Sequence, residues 1–153
     1  MPTLASEFLC TMYATLRAPP EVIGPVPQGI RVNFHITGGR VEGPRLRGTL
    51  RPVGADFFTL RRDGVGELDV RAVLETEDGA LIDLRYIGIG DAGADGHARF
   101  LAGELPPRLA LRTGPRMSTA HPGYEWVNRL YCVGAGEADL QTFEVRYDIY
   151  VLV

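Results

Sequence analysis

The sequence predicts an all-β fold, a sandwich or barrel of short antiparallel strands. Three observations carry this. Runs that alternate apolar and polar residues with period two recur along nearly the whole chain, the signature of half-buried strands. The 19 glycines and 11 prolines punctuate those runs at the spacing expected of a sandwich or barrel. The closing run FEVRYDIYVLV alternates cleanly and can close a barrel against an early strand.

Taken in order, ASEFLCTMYATLR (5–17) sets Phe8, Cys10, Met12, Ala14 and Leu16 against Glu7, Thr11, Thr15 and Arg17, and reads as the first strand. APPEVIGPVPQG follows with four prolines, which supply no ladder donors, and is expected to be a connection. GIRVNFHITG alternates Val32, Phe34 and Ile36 against Arg31, Asn33, His35 and Thr37, and is a second strand. GGRVEGPRLRGTLRP and ADFFTLRRDG add two or three short ones. Only residues near 97–103 read as helix.

The segment 66–88, GELDVRAVLETEDGALIDLRYIG, is two alternating runs joined at Asp78-Gly79. Asp-Gly suits a two-residue type I′ turn, in which both central residues take positive φ. That turn would pair Arg71 with Tyr86, Val73 with Leu84 and Glu75 with Ile82, with Asp69 beside Gly88. One face of the hairpin then carries Asp69, Arg71 and Tyr86; the other carries Val70, Leu74, Leu81 and Ile87 with Asp83 and Arg85 among them, so both faces are mixed. Period-two alternation does not say which face is inside. With the first face in the lumen, an Asp-Arg pair could hold a polar ligand or place an acid or base; outside, it is an ordinary cross-strand ion pair.

In segment 112–137, RTGPRMSTAHPGYEWVNRLYCVGAGE, a turn at Pro122-Gly123 leads into a run with Tyr124, Trp126, Asn128, Leu130 and Cys132 on one face. Large rings with one amide suit a pocket wall. The same pattern also fits a core in which Trp126 fills space and Asn128 satisfies a neighbouring backbone group. His121, before proline, belongs to the turn.

Composition excludes several chemistries. The chain of 153 residues suits one domain, burying roughly 70% of the surface its unfolded form exposes. No apolar run approaches the roughly 20 residues that cross a bilayer, and the N-terminus has no basic region while Glu7 interrupts its apolar stretch. A cytoplasmic protein with no membrane partner is the expectation. A net charge of −3 argues against a nucleic-acid partner. All sixteen Lys/Arg residues are Arg, which removes lysine Schiff-base and P-loop chemistry. The only serines, Ser6 and Ser118, lie in no nucleophile elbow. His35, His97 and His121 show no short metal spacing, and Cys10 and Cys132 read as free thiols, so neither a metal nor a cofactor is expected. GIGDAG (88–93) matches a dinucleotide fingerprint, but it lacks a following helical crossover and an acidic residue about 20 positions on. It reads as a flexible loop.

The strings GPRLRGTL, GADFF, DGVGELDVR, the DG hairpin, RTGPRM and WVNR together resemble the DUF3237 (UPF0311) family of small bacterial and fungal proteins, over most of the chain. The resemblance implies a single antiparallel β-barrel of calycin-like appearance, here of about 8–10 strands, a homo-oligomer with a dimer as first expectation, and no firmly assigned activity. The family pattern maps onto Gly48, Asp56, Asp69, Arg71, Asp78, Gly79, Arg112, Arg116, Trp126 and Asn128. This chain departs from it at Arg108–Leu111, Asp83 and Ser118. The resemblance implies that Asp69, Arg71 and Asn128 face a common cavity.

The first functional expectation is a cofactor-free isomerase, cyclase or lyase. Asp69 moves a proton, Arg71 or Arg116 binds a carboxylate or enolate, and Asn128 orients a carbonyl. Tyr86, Tyr124, Trp126 and His35 are the further candidates for ligand contact. The alternatives are a non-catalytic binder of a small amphiphilic ligand and a structural oligomer without one.

Overall fold

The computed structural model describes residues Met1–Val153. In chain order the strands are β1 (Ser6–Leu16), β2 (Glu21–Val26), β3 (Gly29–Glu42), β4 (Gly48–Leu50), β5 (Ala55–Leu60), β6 (Val65–Thr76), β7 (Leu81–Asp91), β8 (Arg108–Thr113), β9 (Arg116–Ser118), β10 (Cys132–Asp139) and β11 (Glu144–Leu152). One short helix, α1 (Gly96–Leu101), lies between β7 and β8, and a 3-10 segment, Pro122–Arg129, lies between β9 and β10. No helix is long and apolar enough to cross a membrane.

Eight strands close an antiparallel barrel in the order β6-β5-β3-β1-β11-β10-β8-β7, with β7 returning to β6. The final strand pairs with the first from Ser6–Leu152 to Thr15–Glu144, as the alternation of the closing run predicts. Closure removes the free edges that an open sheet would present. The remaining short strands lie off this circuit, β2 on β3, β4 on β3 and β6, and β9 on β7.

Alternation decides what faces the lumen. Along β6 the residues Leu68, Val70, Ala72 and Leu74 are buried, while Glu67, Asp69 and Arg71 are exposed. Turning the polar face inward would strand three charges and expose four apolar side chains, so burial of apolar area fixes the choice. Two glycines make room for rings in the wall. A Cβ on Gly66 would lie 2.3 Å from Phe58 Cζ, and one on Gly136 would lie 2.4 Å from Tyr147 Cδ1.

The two ends differ. At one end the 3-10 segment meets the β6–β7 turn through Tyr124, which donates to Asp78, and Val127 and Leu46 are fully buried in a continuous core. At the other, where β1 ends at Leu16 and β8 begins at Arg108, α1 and the chain to Pro107 lie across the opening and contribute Phe100, Leu105 and Pro106 to its lining.

Four sequence expectations change. The proline-rich stretch after β1 contains β2, an edge strand in which Pro25 sits opposite Ile30; an edge tolerates the missing donor. Tyr124, Trp126 and Asn128 lie in a 3-10 segment and not a strand, because His121 Nδ1 accepts from Gly123 N at 3.0 Å and Pro122 starts the first turn. Gly88, Gly90 and Asp91 of the GIGDAG string belong to β7 itself.

The hairpin turn is one residue longer than a two-residue type I′ loop. Gly79 N donates to Thr76 O, Thr76 N donates to Ala80 O, and Gly79 alone takes positive φ (89°). This is the three-residue loop with a glycine in the left-handed region. The register therefore pairs Asp69 with Ile87, Val70 with Tyr86 and Arg71 with Arg85. A one-residue slip moves every side chain of a strand to the other face relative to its partner, and Tyr86 parts from Asp69 and Arg71.

Candidate functional site

The lumen encloses a cavity of ≈ 70 Å³. That exceeds the 10–15 Å³ or so a single water needs and is enough for a small organic group. Of its 24 lining residues 22 are hydrophobic; the exceptions are Pro106 at the mouth and Asp56. No Arg or His side chain lines it. A lumen so apolar selects against charged ligands, since nothing in it compensates their desolvation.

Asp56 reaches this position through β5. In ADFFTL the residues Asp56, Phe58 and Leu60 share the inner face, and Asp56 lies in one cross-strand row with Phe34, Val70 and Tyr86. Its Oδ1 accepts a 3.0 Å hydrogen bond from the backbone N–H of Asp69. Register pairs flank this point on either side, Asp56–Val70 and Thr59–Glu67, with Phe57 and Phe58 unpaired between them. The carboxyl thus stands in for a backbone acceptor in the wall, and Oδ2 has no protein partner.

Burial pushes the Asp56 carboxyl up to about 7. The Asp69 N–H and the Arg31 guanidinium act against this rise, while the Asp69 charge adds to it. Desolvation dominates because no cation shares the lumen. A carboxyl with a pKa near neutrality exchanges a proton readily in both directions, the property required of a general acid or base.

Two phenols complete the polar content of the lumen. The Tyr86 and Tyr147 rings meet edge to face with centroids 5.4 Å apart. Burial raises both phenols, and the Asp56 charge raises each further. Both stay neutral and keep an O–H to donate.

The sequence candidates fall into separate places. Tyr86 lines the lumen. Asp69 and Arg71 lie on the outer face of β6 and share no cavity with it, because the apolar side of that strand is the buried one. Asn128 is also outside: Oδ1 accepts from Thr119 N at 2.8 Å and Nδ2 donates to Thr119 O at 3.0 Å, clamping the loop before the 3-10 segment. Trp126 is stacked under Arg45, whose guanidinium carbon is 3.9 Å from the ring centroid, and Tyr124 donates to Asp78 Oδ1 at 2.8 Å. His35 faces outward, its Nε2 3.3 Å from Glu21 Oε1, and Arg116 lies on outer strand β9. No group of three or more His, Cys, Asp and Glu side chains is arranged to hold a metal ion.

Asp56 and Tyr147 are the lumen residues that pattern reading passed over. The signal was present in ADFFTL, where an aspartate shares a face with Phe58 and Leu60, and in FEVRYDIYV, where Tyr147 falls between Val145 and Ile149.

Fold and site define a closed eight-stranded barrel with an apolar lumen, a mouth covered by a short helix, and one internal carboxyl. The chain belongs to the DUF3237 family of proteins of unknown function, whose model matches residues 4–152. A UPF0311 protein of Rhodopseudomonas palustris is 32% identical over 149 residues, 95% of this chain and 97% of the relative. The crystal structure of a beta-barrel like protein from Acinetobacter baumannii matches with TM-score 0.83 and 31% identity, covering 100% of this chain and 98% of that one. An enzyme from Penicillium herquei matches with TM-score 0.67 at 23% identity, with 100% and 98% covered, a likeness of fold.

Proposed function

We propose that the barrel is a cofactor-free enzyme of the isomerase, cyclase or lyase kind, which moves a proton on a small, uncharged substrate held in the lumen, with Asp56 as acid and base. The observation that carries this reading is the placement of one carboxyl, held near neutral pKa by burial, in an otherwise hydrophobic wall. In the simplest form, ionised Asp56 takes a proton from carbon next to a carbonyl and the C–H electron pair moves toward the carbonyl oxygen. The neutral phenols of Tyr86 and Tyr147 are the available donors for that oxygen. Protonated Asp56 then returns the proton to a different carbon, so substrate and product are isomers. Asp69, the acid or base expected with the family resemblance, acts instead through its backbone N–H, which holds Asp56.

The test is native mass spectrometry of the protein purified from its host, followed by comparison of wild type, Asp56→Asn and Asp69→Asn on the ligand so identified. Asp56→Asn should keep binding and lose turnover at least a hundredfold, while Asp69→Asn, which retains the backbone N–H, should turn over at near wild-type rate. Binding without turnover in the wild type would make the lumen a carrier of an apolar ligand.

A further inference from the structure

On the outer surface of the same wall, Arg71 of β6 is the direct cross-strand partner of Arg85 of β7, and Arg85 is in turn the direct partner of Arg116 of β9. Direct partners share a face, and neighbouring strands lie about 4.8 Å apart. Three exposed guanidinium groups therefore stand in one row across three strands.

None of the three is neutralised. Six other arginines hold ion pairs, among them Arg51 with Glu75, Arg61 with Asp63 and Glu67, and Arg108 with Glu137. Arg71, Arg85 and Arg116 make no ion pair within 4.0 Å and no side-chain hydrogen bond. Asp69 and Asp83, two residues before Arg71 and Arg85 on the same face, form no ion pair with them either. The one fixed contact is aromatic: the Arg116 guanidinium carbon lies 5.0 Å from the centroid of Tyr131, which is itself 56% exposed.

Like charges directly opposed on a sheet destabilise it, and this row opposes three in a chain of net charge −3. An anion lying along the row would replace repulsion with charge-assisted hydrogen bonds, and guanidinium forks match phosphate oxygens two at a time. The row is two strand spacings long, so it accommodates two oxyanion groups, each bridging a neighbouring pair of arginines. We propose that Arg71, Arg85 and Arg116 form a binding site for a small molecule bearing two linked phosphate groups, on the face of β6 and β7 opposite the lumen. The site is independent of the lumen chemistry, since Val70, Ala72, Leu84 and Tyr86, which alternate with these arginines, point the other way.

Inorganic diphosphate is the probe, with orthophosphate and succinate as comparisons, read by calorimetry and thermal unfolding at constant ionic strength. Diphosphate should raise the melting temperature and bind at least tenfold tighter than orthophosphate or succinate. Arg85→Gln should weaken diphosphate at least tenfold while leaving the ligand-free melting temperature equal or higher, because the repulsion is relieved. Arg62→Gln, an exposed arginine of the β5–β6 turn, should bind as wild type does. Absence of diphosphate binding at millimolar concentration would overturn the proposal. So would equal affinity for all three anions, equal weakening by Arg62→Gln, or loss of ligand-free stability in Arg85→Gln.

Discussion

The backbone N–H of Asp69 donates to Oδ1 of Asp56 across 3.0 Å, so the one carboxyl inside the barrel is held by the strand whose own carboxylate points out. The two aspartates sit on opposite sides of a single wall, and their environments push their roles apart. Half-buried Asp56 faces apolar side chains, and burial pushes its carboxyl up to about 7; Asp69 is exposed.

Stability should carry the imprint of this burial. Asp56 has a folded pKa of about 7, above its unfolded value near 4, so between those limits the folded state binds more protons than the unfolded one. Stability contributed by the protonated form is complete at low pH and falls as pH rises through about 7, by up to roughly 1.4 kcal/mol per pH unit for this group. Asp56→Asn removes the titration. Denaturant unfolding at pH 5 and pH 8 should show the variant gaining on wild type by a few kcal/mol at the higher pH, and an unchanged difference would argue against a desolvated Asp56.

Lumen volume should be sensitive to the wall glycines. Gly66→Ala places a methyl 2.3 Å from Phe58 Cζ and should cost about 1–3 kcal/mol by overpacking. Urea unfolding measures the loss. A neutral outcome would mean that the Phe58 ring swings away freely.

The cavity should accept small apolar molecules and close when filled. Xenon, small enough for this volume, should raise the melting temperature of the wild type by mass action. Ala72→Leu, which projects a larger side chain into the ≈ 70 Å³ lumen, should abolish that rise while retaining the fold by circular dichroism.

The plugged end should be separable from the site. Asn128→Ala removes both hydrogen bonds to Thr119 and should cost about 1–2 kcal/mol. The xenon response of the lumen should survive it, which thermal unfolding under xenon pressure can check.

The barrel was legible in the sequence because alternation and punctuation are local. β1, β3, β6, β7 and β11 all follow from period-two runs, and closure by the last strand follows from its clean pattern. The site was less so. At Asp78-Gly79 the dipeptide fits both a two-residue and a three-residue loop, and the choice rests on Ala80 pairing with Thr76, a tertiary fact that moves Tyr86 to the other face. The stretch around Trp126 alternates like a strand, yet Pro122 and the Asn128–Thr119 clamp set a 3-10 turn. Asp56 shares its face with Phe58 and Leu60, but the adjacent exposed Phe57 makes both faces of ADFFTL apolar, so alternation alone does not choose which one is inside.

The most direct test is a carbon-detected NMR titration of the aspartate carboxyls from pH 3 to pH 9, with Asp56→Asn identifying the resonance. One carboxyl, absent in that variant, should titrate near pH 7. If the Asp56 resonance instead moves near pH 4, the carboxyl is solvated and charged at neutral pH, and the lumen does not hold the proton-transfer group proposed for it.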